Sequence, residues 1–325
     1  MKSNDLINTP PKREIWIFFI ALALWLLITG LGIGLRIEHF IIALVMLTFF
    51  MAGGITRRLI VAMIPFAIFG MSYDWMNLLP NYEVSPVDIE SLYNTEKSVF
   101  GITTDEGVLT PNEFFAIHNT TFVDFLCGLF YLCWVPVPIA FGVWLYFRKQ
   151  DRVYLHFACV FLLANLLGFA IYYLHPAAPP WYVEEYGMEF ISGIPGSVAG
   201  LARFDDIVGF GIFDALYARN SNVFAAVPSL HSAYMLIAFI YSLKARCSWW
   251  LRALFAVITC GIWFTAVYAS HHYILDVIGG ILTALAAVAI FEYVFMKIPQ
   301  FRRFMAAYCL YIQGPKQLKK QTDEQ

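Results

Sequence analysis

Charge is scarce in this 325-residue chain: Asp, Glu, Lys and Arg make up only 14% of it. Soluble domains carry about a quarter, so an ordinary water-soluble fold is excluded. The net charge of −2 offers no basic footprint for nucleic acid. The six cysteines show neither metal-ligand nor redox spacing. Cys127, Cys133, Cys159 and Cys260 fall inside apolar runs, where a thiol packs as a small apolar group. There is no internal repeat and no low-complexity tract. Residues 1–14 are polar and basic, the apolar run after them is full length, and no small-residue site follows, so a cleaved signal is not expected.

What abounds is apolar surface, with 60% hydrophobic and 18% aromatic residues. Runs of about 20 apolar residues recur, the length that crosses a bilayer core of about 30 Å. The pattern predicts an all-α, polytopic membrane helix bundle with about eight spans, at 15–35, 38–56, 59–76, 122–147, 153–174, 229–245, 249–270 and 271–296. Taking alternate ends as cytoplasmic collects 17 of the 21 basic residues and leaves only Arg36, Lys97, Arg203 and Arg219 outside. That asymmetry follows the positive-inside rule and puts both termini in the cytoplasm. The whole chain reads as one integral-membrane domain over 1–325: N-terminal spans at 1–76, an outer segment at 77–121, a core at 122–297 and a cytoplasmic tail at 298–325.

Between spans, three stretches stand out. Segment 77–121 is acidic and aromatic and too long for a simple turn, so it is either a lid or an interfacial cap. Within it, Pro111-Asn112-Glu113-Phe114-Phe115 reads as a helix start, and Trp134-Val135-Pro136 predicts a kink in the fourth span. Residues 172–182 pack three prolines among aromatic rings, a stiff segment at headgroup depth. The loop at 183–223 carries Arg203 and Arg219, two of the four outer cations.

The candidate chemistry sits in a hairpin. Pro228-Ser229-Leu230-His231 opens one apolar run, and His271-His272-Tyr273-Ile274-Leu275-Asp276 opens another. A hairpin returns its second end to the side where it began, so His231 and His272 share the extracytoplasmic surface (periplasmic in a bacterial inner membrane, lumenal in a eukaryotic one). His272 and Asp276 are spaced i, i+4. On a helix that puts them on one face, where the carboxylate fixes the imidazole tautomer and leaves the other nitrogen nucleophilic. His231 is then the complementary acid and base. First-turn positions for both histidines would add the pull of free N–H groups on an anionic oxygen. One histidine with one aspartate makes no metal site, so neither metal nor cofactor is expected.

The Pro-Ser-x-His motif and the His272-Tyr273-x-x-Asp276 run resemble the type-2 phosphatidic acid phosphatase superfamily. The stretches Gly200-Leu201-Ala202-Arg203, 224–233 and 271–280, with the Pro-rich 176–182, resemble its inositol phosphorylceramide synthase branch. The resemblance runs from the fifth span to the eighth. It implies a six-helix core preceded by two further helices, His272 as nucleophile, His231 as general acid and Asp276 as the orienting carboxylate. The phosphatases of that superfamily carry a Lys…Arg-Pro motif and an Arg six residues before the nucleophile. Here the slots read His175-Pro176 and Ala266.

Fewer cations suit a singly charged phosphodiester better than a monoester. The expectation is therefore a transferase that moves phosphoinositol, or a phosphorylated relative, from a phospholipid donor to a ceramide-like acceptor through a phosphohistidine. A lipid phosphatase or pyrophosphatase is the alternative, and a non-catalytic transporter or scaffold the third reading. Arg203, Arg219, Ser229, His271, His175, Trp181 and His118 are the candidate head-group contacts, with Arg203 and Arg219 alternatively paired to Asp205, Asp206 or Asp214.

Overall fold

In a computed structural model the described residues are 10–105, 107–218 and 222–314. The candidate contact Arg219 and the basic residues Lys2, Lys316, Lys319 and Lys320 lie outside them. The chain separates into two compact units, one of residues 1–79 with 295–325 and one running from Pro80 to Val294.

The first unit contains α1 (Lys12–Gly32), α2 (Ile37–Ala52), α3 (Gly54–Ala62) and α4 (Ile64–Trp75), together with the late α16 (Pro299–Gln313). Gly53 separates α2 from α3, and Met63 with Pro65 bends α3 against α4 by 50°. Among its polar ties, Arg36 and His39 both meet Asp74, Trp75 donates to Thr29, and Tyr308 donates to the Val61 carbonyl. Large apolar side chains such as Trp16, Leu24 and Leu31 face outward, as lipid contact requires and water would oppose.

The second unit holds α5 (Glu90–Phe100), a two-stranded hairpin of β1 (Ile102–Thr104) and β2 (Gly107–Leu109), and α6 (Pro111–Ile117). It continues with α7 (Thr121–Tyr131), α8 (Pro136–Phe147), α9 (Asp151–Leu174), α10 (Pro180–Tyr186), α11 (Ala202–Val208), α12 (Ile212–Tyr217), α13 (Leu230–Lys244), α14 (Trp249–Tyr268) and α15 (Ile274–Ala289). The fourth predicted span is broken by 41° between α7 and α8, where Pro136 opens the new helix. At Pro111 the predicted helix start carries a reciprocal cap between Thr110 and Glu113.

Helices Lys12–Gly32, Asp151–Leu174, Trp249–Tyr268 and Ile274–Lys297 are long and apolar enough to cross a membrane. They make four candidate spans among the described residues, or six if each bent pair counts as one. The chain is thus a mostly helical, multi-pass membrane protein. The stretch predicted as the sixth span is only 15 residues as α13, or about 22 Å at 1.5 Å per residue.

Inside the second unit, α13 packs against α9, α14 and α15. Gly280 permits the approach of α15 to α13, because a Cβ there would stand 2.0 Å from the Ser229 carbonyl oxygen. That contact sets the start of α13 beside the start of α15. Both ends of the hairpin therefore converge.

Candidate active site

His231 occupies the second position of α13, as its spacing predicts. His272 does not lie in the first turn of α15; it precedes the N-cap Tyr273. The reason is the exit from α14, where the N–H groups of His271 and His272 both bond to the Ala266 carbonyl at 3.1 and 2.8 Å. This tight turn, with Ser270 at φ 56°, uses up residues 269–272 before a new helix can begin. Asp276 still reaches back. Its Oδ2 accepts from the Tyr273 N–H at 2.9 Å and stands 3.4 Å from His272 Nδ1. The i, i+4 contact is made across a helix cap, not along a helical face.

These contacts define a tautomer. His272 Nδ1 faces two acceptors, the Ala226 carbonyl at 3.1 Å and Asp276 Oδ2 at 3.4 Å. Only a proton on Nδ1 satisfies them, so Nε2 holds a free lone pair. That Nε2 is 2.9 Å from His231 Nδ1, which must then be the donor. The arrangement is a nucleophilic nitrogen facing a proton-bearing one, with Asp276 fully buried behind. The His231 ring lies against Tyr131 and Trp134 at centroid distances of 5.0 and 4.3 Å.

The other candidates are placed as follows. His271 bonds to the Val198 carbonyl through Nε2 at 3.1 Å and lies between the rings of Tyr131 and Tyr217. Ser229 is fully buried; its hydroxyl accepts from Ser232, and its N–H donates to the Asp276 carbonyl at 2.9 Å. His175 is half exposed, 3.4 Å from Asp88 Oδ2. Trp181 is buried, and its backbone N–H reaches the Ser270 carbonyl at 3.0 Å. Arg203 pairs with none of the aspartates near it in sequence. Its Nε donates to Asp124 at 2.7 Å and its guanidinium covers the Tyr268 ring, while Asp205 caps the start of α12 through the N–H groups of Phe213 and Asp214. His118, the C-cap of α6, is exposed and stacks on Phe114 at 4.2 Å. The geometry thus gathers His231, His272, Asp276 and His271, with His118 engaged elsewhere.

Two residues around His272 have no mark in the sequence. Asn112 is fully buried and donates to the carbonyls of Val267 and His272 at 2.8 and 2.9 Å. Glu96 is likewise buried, and its two oxygens accept from Ile274 and Leu275 at 2.9 and 3.1 Å. It caps α15 from a distant helix. A third, Asn81, binds the Tyr172 and Phe224 carbonyls. Segment 77–121 therefore supplies buried polar clasps to the loop that carries His272. Nothing local signals this, because each bond joins residues far apart in the chain.

Burial lifts the Glu96 carboxyl above its ordinary range, although the two N–H groups pull the other way. A group whose folded-state proton affinity is raised contributes fully below its ordinary pKa, and that contribution is lost as pH rises through the raised value. Glu96→Gln is expected to flatten the pH dependence of thermal stability across the mildly acidic range. Glu96→Ala is expected to lower stability by about 1–3 kcal/mol, because both cap donors lose their acceptor. Melting in detergent at several pH values measures both.

The PAP2 superfamily model matches residues 108–290, more than half of the chain. The phosphoinositol dihydroceramide synthase of Bacteroides thetaiotaomicron is 56% identical over 304 residues, covering 93% of this chain and 99% of that protein. The inositol phosphorylceramide synthase catalytic subunit of Saccharomyces cerevisiae is 33% identical over 130 residues, 40% of this chain and 31% of the yeast protein. The inositol phosphorylceramide synthase of Candida albicans is 30% identical over 172 residues, 50% of this chain and 35% of that protein. No solved structure matches the chain. The chain belongs to the PAP2 superfamily, within its inositol phosphorylceramide synthase branch of phosphotransferases.

Proposed function

We propose that the protein moves a phosphoinositol-type head group from a phosphatidylinositol-type donor to the hydroxyl of a ceramide-like acceptor, by way of a phosphohistidine on His272. The observation that carries this reading is the 2.9 Å contact between His272 Nε2 and His231 Nδ1, with His272 Nδ1 held by two acceptors. The names of the relatives in Bacteroides, Saccharomyces and Candida support the head-group transfer.

In the first step, donor phosphorus enters between the two rings and displaces their mutual hydrogen bond. The His272 Nε2 lone pair forms the N–P bond as the P–O bond to diacylglycerol breaks, and His231, in its doubly protonated form, gives that oxygen a proton. In the second step His231 takes the proton of the acceptor hydroxyl. Its oxygen attacks phosphorus and the N–P bond breaks. The helix start at His231 is of the kind that favours anionic oxygens, whereas the N–H groups at the α15 cap are taken by Asp276 and Glu96. Ala266 is fully buried with its carbonyl committed to the turn, and it stands where the monoester phosphatases carry an arginine, so no cation is supplied from that position.

Eight spans result if the shorter helices Ile37–Ala52 and Leu230–Lys244 cross as well as the six counted with bent pairs. With the basic residues on the cytoplasmic side, the histidine pair opens to the extracytoplasmic face. The test incubates purified protein with head-group-labelled phosphatidylinositol, with and without ceramide, in chelator-treated buffer. Label is expected in an inositol phosphorylceramide, at a rate unchanged by the chelator. Label recovered only as inositol phosphate or free phosphate makes the protein a hydrolase, and a rate restored only by a divalent cation removes the metal-free step.

A further inference from the structure

Beside the turn that ends in His272 lies an open depression of about 380 Å³, formed between the loops around α10 and α11. Small-molecule sites span about 300–1,000 Å³. It is lined by Trp181, Glu184, Glu185, Ser197, Ser270 and Arg203, among others. We propose that this depression is the subsite for a polyhydroxyl head group, with Glu184 and Glu185 accepting from its ring hydroxyls and Arg203 contacting an anionic oxygen. This rests on the transfer reaction proposed above and names the residues that choose its donor.

The walls are built to hold these groups in place. Ser270 donates to Glu184 at 2.8 Å and Ser197 donates to Glu185 at 2.7 Å, so each carboxylate keeps its second oxygen for another partner. Arg203 is fixed from behind by Asp124 and by the Tyr268 ring, and its Nη2 is buried without a hydrogen-bond partner. An unfilled donor of this kind is costly unless a ligand fills it. Gly200 makes the space: a Cβ there would stand 3.0 Å from both terminal guanidinium nitrogens and 2.9 Å from Ala269 Cα.

The subsite is also joined to the reacting centre. The Ser270 carbonyl accepts from Trp181, the Val198 carbonyl of the same wall accepts from His271, and His272 is the next residue. Ser270 of the wall is two residues before His272 in the chain, and in the proposed subsite the alcohol portion of a phosphate at His272 lies against this wall. Mixed chemistry selects the alcohol. A polyol can donate to two carboxylates and accept from an arginine at once. An ethanolamine head group can donate to the carboxylates, but it has no ring hydroxyl to accept from Nη2 and spans only one of the two carboxylates at a time.

The test uses the full-length protein in mixed micelles, with phosphatidylinositol, phosphatidylglycerol and phosphatidylethanolamine as donors and ceramide as acceptor. Glu185→Gln and Glu184→Gln are each expected to raise the KM for phosphatidylinositol about tenfold, the size of one charged hydrogen bond, with kcat within about twofold. The preference over phosphatidylglycerol falls in parallel. Free myo-inositol is expected to compete with the donor in the wild type, about tenfold more weakly in the variants, and free ethanolamine not to compete. Unchanged KM in both variants, or competition by ethanolamine in place of inositol, overturns the subsite while leaving head-group transfer standing. If the wild type transfers no head group, the proposed function falls, and calorimetric titration with myo-inositol still decides: binding lost in Glu185→Gln upholds the subsite, and no binding overturns it. Glu185 is exposed, so its substitution leaves folding intact even where Glu184→Gln does not.

Discussion

Replacing His272 with alanine is expected to lower head-group transfer by more than about a thousandfold, because the nucleophile and the bond it forms are both removed. His231→Ala is expected to fall nearly as far, and the double variant little further, since residues that act as one unit are not additive. The single-site pH profile separates the roles. His272 must be free at Nε2 and His231 must carry a second proton, so the wild-type rate is expected to follow a bell. His231→Asn is expected to keep the acid limb and lose the basic one. His272→Ala retaining a tenth of the wild-type rate would remove the nucleophile assignment, and an unchanged bell in His231→Asn would remove the acid.

The second large effect is expected at Asn112, which touches no reacting atom. Its two donated bonds hold the Val267 and His272 carbonyls on either side of the turn. Asn112→Asp is nearly isosteric but cannot donate, and its charge would face two carbonyl oxygens in a buried site. The expected loss is about a hundredfold in kcat, the scale of a displacement of about 1 Å at a catalytic group, with donor KM within about threefold. A purely structural role would instead lower the melting temperature and the active fraction, leaving kcat per folded molecule unchanged. Titrating active sites by the stoichiometry of the first turnover distinguishes the two. Asn112→Asp at full kcat per active site would show that the turn holds His272 without this clasp.

What the sequence made legible was local or periodic. Apolar runs marked the helices, Pro136 marked the break between α7 and α8, and the paired histidine motifs marked the hairpin whose ends meet at 2.9 Å. The misplaced features depend on where a helix starts or on partners remote in the chain. The i, i+4 spacing of His272 and Asp276 suggested one helical face. The chain instead spends residues 269–272 on a turn bonded to Ala266, and Asp276 reaches His272 as a cap. Arg203 was weighed against neighbouring aspartates, yet its partner is Asp124, 79 residues earlier. Glu96 and Asn112 look like ordinary polar residues of an acidic segment. Their burial against the His272 loop exists only once the helices have packed.

The most direct measurement follows the protein itself through half of the reaction. Wild-type protein is mixed with phosphatidylinositol labelled in its head-group phosphate, without acceptor, quenched at high pH and analysed by mass spectrometry. The expected result is up to one label per chain on His272, acid-labile, formed with an equal burst of diacylglycerol and discharged into lipid product when ceramide is added. Diacylglycerol released only when ceramide is present, with no label on the protein at any time, would mean direct transfer between the lipids and would contradict a covalent His272 intermediate.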